Sequence, residues 1–206
     1  MTLAPRKSLV LHACCGPCLT HCALSLRKEG KEPLVFFSNS NIWPPDEYAR
    51  RLESARKFAD AEGFEFVADA YNHEAWEKDT ADFKDEPEGG KRCLLCFRFN
   101  LIRTARFALS QRGASLPTCD IEFTTTLTVS PKKNSAMVAE AAAAAIAATA
   151  AAAEPNAPCN TLKYLPYDFK KGGGFAESVK LSAKYGLYRQ NYCGCGLGGE
   201  TRQKNN

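Results

Sequence analysis

The chain lacks a long apolar run. Apart from one alanine-rich tract, nothing in it approaches the roughly 18 apolar residues that a membrane-spanning helix needs. The tract, Ala136 to Ala153, does not supply a span: alanine is barely apolar on insertion scales, and Glu140 and Glu154 bound it. A helical membrane protein is therefore not expected. The segment Met1 to Ala13 carries two basic residues and then an apolar run too short for a signal-peptide core. The expected location is the cytoplasm. An excess of one charge is missing too: the net charge is +4 and the pI about 8.5. Dedicated nucleic-acid domains often exceed about pI 9, so a polyanionic partner is permitted here and not demanded.

The chain is rich in cysteine instead, with 10 in 206 residues. A chain of this length buries a core without disulfide staples. The thiols also fall in close groups: Cys14-Cys15-x-x-Cys18, Cys93-x-x-Cys96 and Cys193-x-Cys195, with Cys22 one helical turn after Cys18. Such spacing suits metal or redox chemistry in a reducing compartment better than a secreted framework.

The apolar pattern alternates strand and helix. Leu9–Leu11 reads as a buried strand, Leu19–Glu29 as a helix stopped by Gly30, and Pro33–Ser38 as a second strand. Asp46–Ala61 repeats apolar residues at helical spacing up to Gly63, and Phe64–Ala68 is a third strand. This β-α-β-α-β order predicts a parallel sheet with right-handed crossovers. Further on, Asn72–Gly90 reads as a loose helix and surface loop, and Lys91–Gln111 as a long helix. The β-branched run Ile121–Val129 is a strand throughout, followed by a turn at Ser130–Asn134. Ala136–Ala153 is helical by propensity but offers almost no face for specific packing. A linker at Glu154–Pro158, a strand at Leu162–Leu165 and a helix at Phe175–Tyr185 complete the order. Residues 1–196 read as a single α/β domain and 197–206 as a disordered tail.

The first thiols sit where the first strand turns into the first helix, a position past the carboxyl end of a strand where open α/β sheets bind ligands. Cys93 and Cys96 fall in the first turn of a helix, on one face, where the helix dipole favours thiolate. Four thiolates in two close pairs, Cys14 with Cys15 and Cys93 with Cys96, suffice for one metal or cluster. Zinc commonly uses two C-x2-C pairs, and the directly adjacent Cys14-Cys15 pair is awkward for a zinc knuckle, so the spacing favours an iron–sulfur cluster over zinc. Cys18 is placed to be an extra ligand. Cys193-Gly194-Cys195 reads as a redox dithiol whose small ring needs the backbone freedom of Gly194; the alternative is two more metal ligands. Cys22, Cys119 and Cys159 are expected to be small buried hydrophobes. His12 either lines the site or is a satisfied core histidine. Arg98, Arg103 and Arg106 form a solvated helix face or a basic contact, and Lys132 and Lys133 follow a Ser/Thr-rich strand end that either meets phosphate or makes an ordinary capped, solvated turn.

Four stretches in register resemble the QueH family of epoxyqueuosine reductases: His12-Ala13-Cys14-Cys15-Gly16-Pro17-Cys18, Gly90 to Arg98, Phe123 to Lys133, and Tyr188 to Cys195. The match runs from about Leu9 to Cys195. The resemblance implies a Rossmann-like fold related to adenine-nucleotide hydrolases. The Ser-Gly-Gly-x-Asp-Ser phosphate loop of the ATP-using relatives is absent, with Cys14 to Cys18 in its place, so nucleotide hydrolysis is not expected. It further implies two-electron removal of the epoxide oxygen of epoxyqueuosine at the wobble position of tRNA, with an electron donor that the sequence does not identify. By that resemblance, Cys14, Cys15, Cys93 and Cys96 ligate a 4Fe-4S cluster, an additional iron lies beside it, and Cys193 and Cys195 are the redox pair. Lys132, Lys133, Arg98 and Arg189 are candidate phosphate contacts. Two other classes fit the residues alone: a zinc-stabilised RNA-binding module, and a general thiol oxidoreductase using Cys193 and Cys195.

Overall fold

A computed structural model describes residues 9–111, 121–151 and 161–197. The expected linker at 154–158, Cys119, Cys159 and the tail from residue 198 lie outside the described residues. Five parallel strands form one sheet: β1 Leu9–His12, β2 Leu34–Phe37, β3 Phe66–Ala68, β4 Ile121–Thr125 and β5 Leu162–Tyr164. Their order is β3-β2-β1-β4-β5, with Leu11 opposite Val35 of β2 and Thr124 of β4. The chain thus winds outward one way from β1 and then the other. The reversal of strand order lies between β1 and β4, and in such sheets ligands bind in the crevice beyond the strand ends at that point.

Among the described residues six helices cover the sheet: α1 Gly16–Lys28, α2 Pro45–Glu62, α3 His73–Thr80, α4 Lys91–Ser110, α5 Ser135–Ala150 and α6 Gly174–Lys184. Successive strand residues point to opposite faces. Leu9, Leu11, Val35 and Phe37 pack on one face with Leu19, Leu26 and Phe58 of α1 and α2. Val10, Phe36, Ile121 and Phe123 pack on the other with Leu101, Ala105, Val138 and Ala142 of α4 and α5. Burial on both faces explains why β1 and β2 read as continuous apolar runs, whereas β3 at the sheet edge is half-buried. Gly16 sets the spacing of α1 and α2: a Cβ there would lie 2.3 Å from Ser54 Oγ and 2.7 Å from its backbone.

Two expectations need correction. The β-branched run does not stay extended to Val129. It leaves the sheet after Thr125, because the Thr125 hydroxyl accepts the Leu127 N–H at 3.1 Å and caps a 3-10 turn over Thr126–Val129. The alanine-rich helix does have a packing face: Val138, Ala141, Ala142 and Ala145 recur at helical spacing and are buried against α4. Small side chains let the two backbones approach closely. Among the described residues, no helix is long and apolar enough to cross a membrane.

A thiol-lined cavity at the strand ends

Beyond the carboxyl ends of β1 and β4 lies a cavity of about 350 Å³. Its walls include Cys14, Cys15 and Cys18, Cys96 of α4, and Cys193 with Gly194 from the carboxyl-terminal segment. The sulfurs of Cys14, Cys15 and Cys18 all lie within 4.8 Å of one another. Cys15 is the last extended residue before α1, and Pro17 in the first turn starts the helix, so the three thiols converge on one turn. Three soft donors at this spacing fit a thiophilic metal. Sequence reasoning placed Cys18 only as an extra ligand; the structure puts it beside the first pair.

The turn is fixed by hydroxyls from β4. Thr126 Oγ1 accepts the Cys14 N–H at 3.0 Å and donates to Cys14 Sγ at 3.2 Å. His12 ties the strand ends together: Nε2 donates to the Ser38 carbonyl at 3.0 Å, so Nδ1 accepts from the Thr125 hydroxyl at 2.8 Å. Burial pushes the His12 pKa down to about 4, and the ring is neutral. It is a satisfied core histidine that braces the site without lining it. Thr124 and Thr128 donate to the carbonyls of Leu165 and Tyr167, both at 2.8 Å. All four threonines are buried, so this strand end is neither solvated nor open to phosphate.

The α4 thiols link the two ends of the site. Cys93 packs in the cluster that Cys14 touches and accepts the Gly89 N–H at 3.2 Å, while Cys96 packs with Trp76, Cys193 and Cys195. Cys93 and Cys96 are not among the thiols gathered within 4.8 Å. Burial pushes the Cys93 thiol up and the Cys96 thiol to about 12, outweighing the helix end that was expected to favour thiolate. Trp76 Nε1 has no nitrogen or oxygen partner and faces the Cys96 sulfur.

Cys193 and Cys195 are free thiols with sulfurs 3.5 Å apart. A hydrogen bond from Cys195 and the charge of Lys133 hold the Cys193 pKa down at about 5, against the effect of burial, and Cys195 is pushed up in return. The first pair divides the same way: the hydrogen bond to Cys15 pushes Cys14 up to about 12, and Cys15 falls well below the usual thiol range. In each close pair one thiol is pushed down and its neighbour up. Gly194 does not adopt a left-handed conformation. It is needed for space: a Cβ would lie 2.8 Å from Ile42 Cγ1 and 3.0 Å from Arg51 Nη1.

Sequence reasoning missed the residues that hold this segment. On α2, Arg51 Nε donates to Glu47 Oε1 at 2.6 Å and Arg51 Nη2 to the Tyr192 carbonyl at 3.3 Å; Tyr188 donates to Glu47 Oε2 at 2.9 Å. Both charges are buried. Their only signal in the sequence was a Glu-x-x-x-Arg spacing on a helix read for its apolar face. Asn41 and Asn100 also line the cavity, joined by a 2.8 Å hydrogen bond. Of the candidate phosphate contacts, Lys132, Lys133 and Arg189 line the cavity, whereas Arg98 is exposed elsewhere on α4. Arg103 leaves the expected solvated face to pair with Asp69.

A family model described as epoxyqueuosine reductase QueH matches residues 9–200. A protein of Thermotoga maritima named epoxyqueuosine reductase QueH is 35% identical over 191 residues, covering 91% of this chain and 88% of that protein. Its namesake in Streptococcus pyogenes serotype M1 is 34% identical over 196 residues, covering 92% of this chain and 69% of that one. Another in Staphylococcus epidermidis is 31% identical over 198 residues, at 92% and 75% coverage. The chain belongs to the epoxyqueuosine reductase QueH family.

Proposed function

We propose that this protein reduces epoxyqueuosine to queuosine at the wobble position of tRNA, the last step of queuosine synthesis, in the cytoplasm. The carrying observation is that three groups of thiols distant in sequence meet around one cavity at the switch point of the sheet. In this reading residues 1–196 act as one unit. Cys14, Cys15, Cys93 and Cys96 would hold a 4Fe-4S cluster, and Cys18 is available to it or to an additional iron. Bound there, such a cluster supplies electrons and a Lewis-acidic iron.

The reaction removes the epoxide oxygen as water and leaves an alkene, which takes two electrons and two protons. Cys193 and Cys195 together hold that number: their oxidation to a disulfide releases two electrons and two protons. An external donor must reduce the disulfide again. The division into one thiolate and one thiol suits the pair to a proton-coupled step, with Lys133 offsetting the thiolate charge. The cavity admits one nucleotide drawn out of the anticodon loop, and unpaired loops allow such extrusion at low cost. Lys132 and Arg189 supply cations for the neighbouring phosphates. Neither a zinc-stabilised binding module nor a general thiol oxidoreductase accounts for both the family match and the shared cavity.

The test is an assay on tRNA bearing epoxyqueuosine with protein purified without oxygen, read by nucleoside mass spectrometry alongside iron and sulfide analysis. About four or five irons, a broad absorbance band near roughly 400 nm and appearance of queuosine are expected. One colourless zinc and no queuosine would overturn the reading.

A further inference from the structure

Trp43, like Phe175 of the cavity wall, is a large aromatic with exposed surface. It is 44% exposed, whereas Trp76 is 2% exposed. Its position is nonetheless fixed. Its backbone N–H donates at 2.9 Å to the carbonyl of Gly194, between the two cysteines of the dithiol. Its ring stacks on His73 with centroids 4.9 Å apart. His73 in turn stacks on Trp76 at 5.3 Å, and its Nδ1 is 2.8 Å from the Ser40 carbonyl. The preceding residues, Asn41 and Ile42, line the cavity, as do Lys132, Lys133 and Arg189. An indole with exposed surface therefore stands one residue beyond the wall of a cavity that also carries these cations. Proteins bind single-stranded nucleic acid with this combination: aromatic rings stack the bases and cations track the backbone.

We propose that Trp43 is a stacking platform for one nucleobase of a single-stranded RNA loop, the neighbour of the nucleotide that enters the cavity. The proposal rests on the reading of the substrate as an RNA loop. A base drawn into the cavity leaves its neighbour without a stacking partner, and Trp43 replaces it. The column of His73 and Trp76 orients the indole before binding, which lowers the ordering cost of association.

Two measurements test this. Kinetics on epoxyqueuosine tRNA compare wild type with Trp43→Ala and Trp43→Phe. Indole fluorescence is titrated with an anticodon stem-loop RNA lacking the epoxide. The alanine variant should raise KM about tenfold or more, the size of one lost base–aromatic stack, with kcat within about twofold and KM largely restored by phenylalanine. The stem-loop should quench wild-type fluorescence and leave Trp43→Phe, whose one tryptophan is Trp76, largely unaffected. An unchanged KM in Trp43→Ala overturns the platform and leaves the reductase reading intact. Absence of quenching in the wild type overturns it as well, and decides the matter if the alanine variant fails to fold. Quenching by the stem-loop with no queuosine formed by any protein would instead overturn the reductase reading and leave the platform standing.

Discussion

Cys14, Cys15 and Cys18 leave β1 and enter α1, so the sheet itself delivers them to the cavity. Cys193 and Cys195 follow no strand. Their segment is carried by side chains and single backbone bonds: Arg51 to the Tyr192 carbonyl, Glu47 to Tyr188, and Trp43 to the Gly194 carbonyl. One thiol group is placed by topology and the other by anchors. A topological site survives most single changes outside it, whereas an anchored one depends on a few buried groups. The division also suits the proposed roles: a metal needs fixed donors, and a dithiol that oxidises and is reduced again needs a segment that can shift.

The sharpest way to break this comparison is to remove one sulfur from each group. Cys14→Ser should lose both iron and turnover, leaving queuosine below detection. Cys193→Ser should retain iron and its absorbance while multiple turnover falls to background. Iron analysis on the two variants, purified side by side without oxygen, decides. Loss of iron from Cys193→Ser would merge the two groups into one metal site, and full multiple turnover in it would remove the dithiol role.

The anchor comes next in size. Glu47 is fully buried and Arg51 nearly so; truncating one partner of such a pair costs about 3–5 kcal/mol where the other charge is left unpaired, and the low end applies here because Arg50 keeps a 2.8 Å ion pair with Glu47. Arg51→Met should therefore lower unfolding stability by that order in urea titration and release the dithiol segment, while the turn thiols keep their iron. The pair also sets an acid limit. Burial alone would raise the Glu47 carboxyl, but Arg51, Tyr188 and Tyr192 outweigh it and hold it below the usual carboxylate range. Its stabilisation is present above the ordinary carboxylate pKa and is lost as pH falls through the depressed folded value. Acid unfolding of Arg51→Met, followed by circular dichroism, should set in at higher pH than that of the wild type.

The alternation of strands and helices and the turn of Cys14 were legible in the sequence because apolar runs and punctuation by Gly and Pro report them directly. The anchors were not. Glu47 and Arg51 carry only an i, i+4 spacing, and nothing local reveals that Tyr188 and Tyr192, far along the chain, fold back over them. The threonines were misread for the same reason. Their hydroxyls satisfy partners more than 40 residues away (Leu165 for Thr124, His12 for Thr125, Cys14 for Thr126), so a run that looked like strand or phosphate site is internal bracing. Thr126→Val tests that bracing. It leaves the buried Cys14 N–H without a partner, at about 1–3 kcal/mol, and removes a hydrogen bond to a proposed ligand, which typically costs about 10–100-fold in metal affinity. Chelator competition should show the loss, and Cys193 chemistry should be little changed.

The smallest effect separates the mouth of the cavity from its wall. Lys132 is exposed and Lys133 half-buried, adjacent in sequence but in different surroundings. Burial would lower the Lys133 pKa, but the charges of Cys14, Cys193, Cys18 and Cys15 raise it instead, so its charge is directed at sulfur. A cation on phosphate releases counterions when RNA binds, and each such contact adds close to one to the slope of log affinity against log salt. Lys132→Gln should lower that slope by about one and weaken stem-loop binding modestly at low salt, with turnover at saturating RNA unchanged. Lys133→Gln should leave the slope alone and slow the dithiol step, because its field acts on the thiolate of Cys193. Equal changes in slope for the two variants would make both lysines phosphate contacts and remove Lys133 from the redox chemistry.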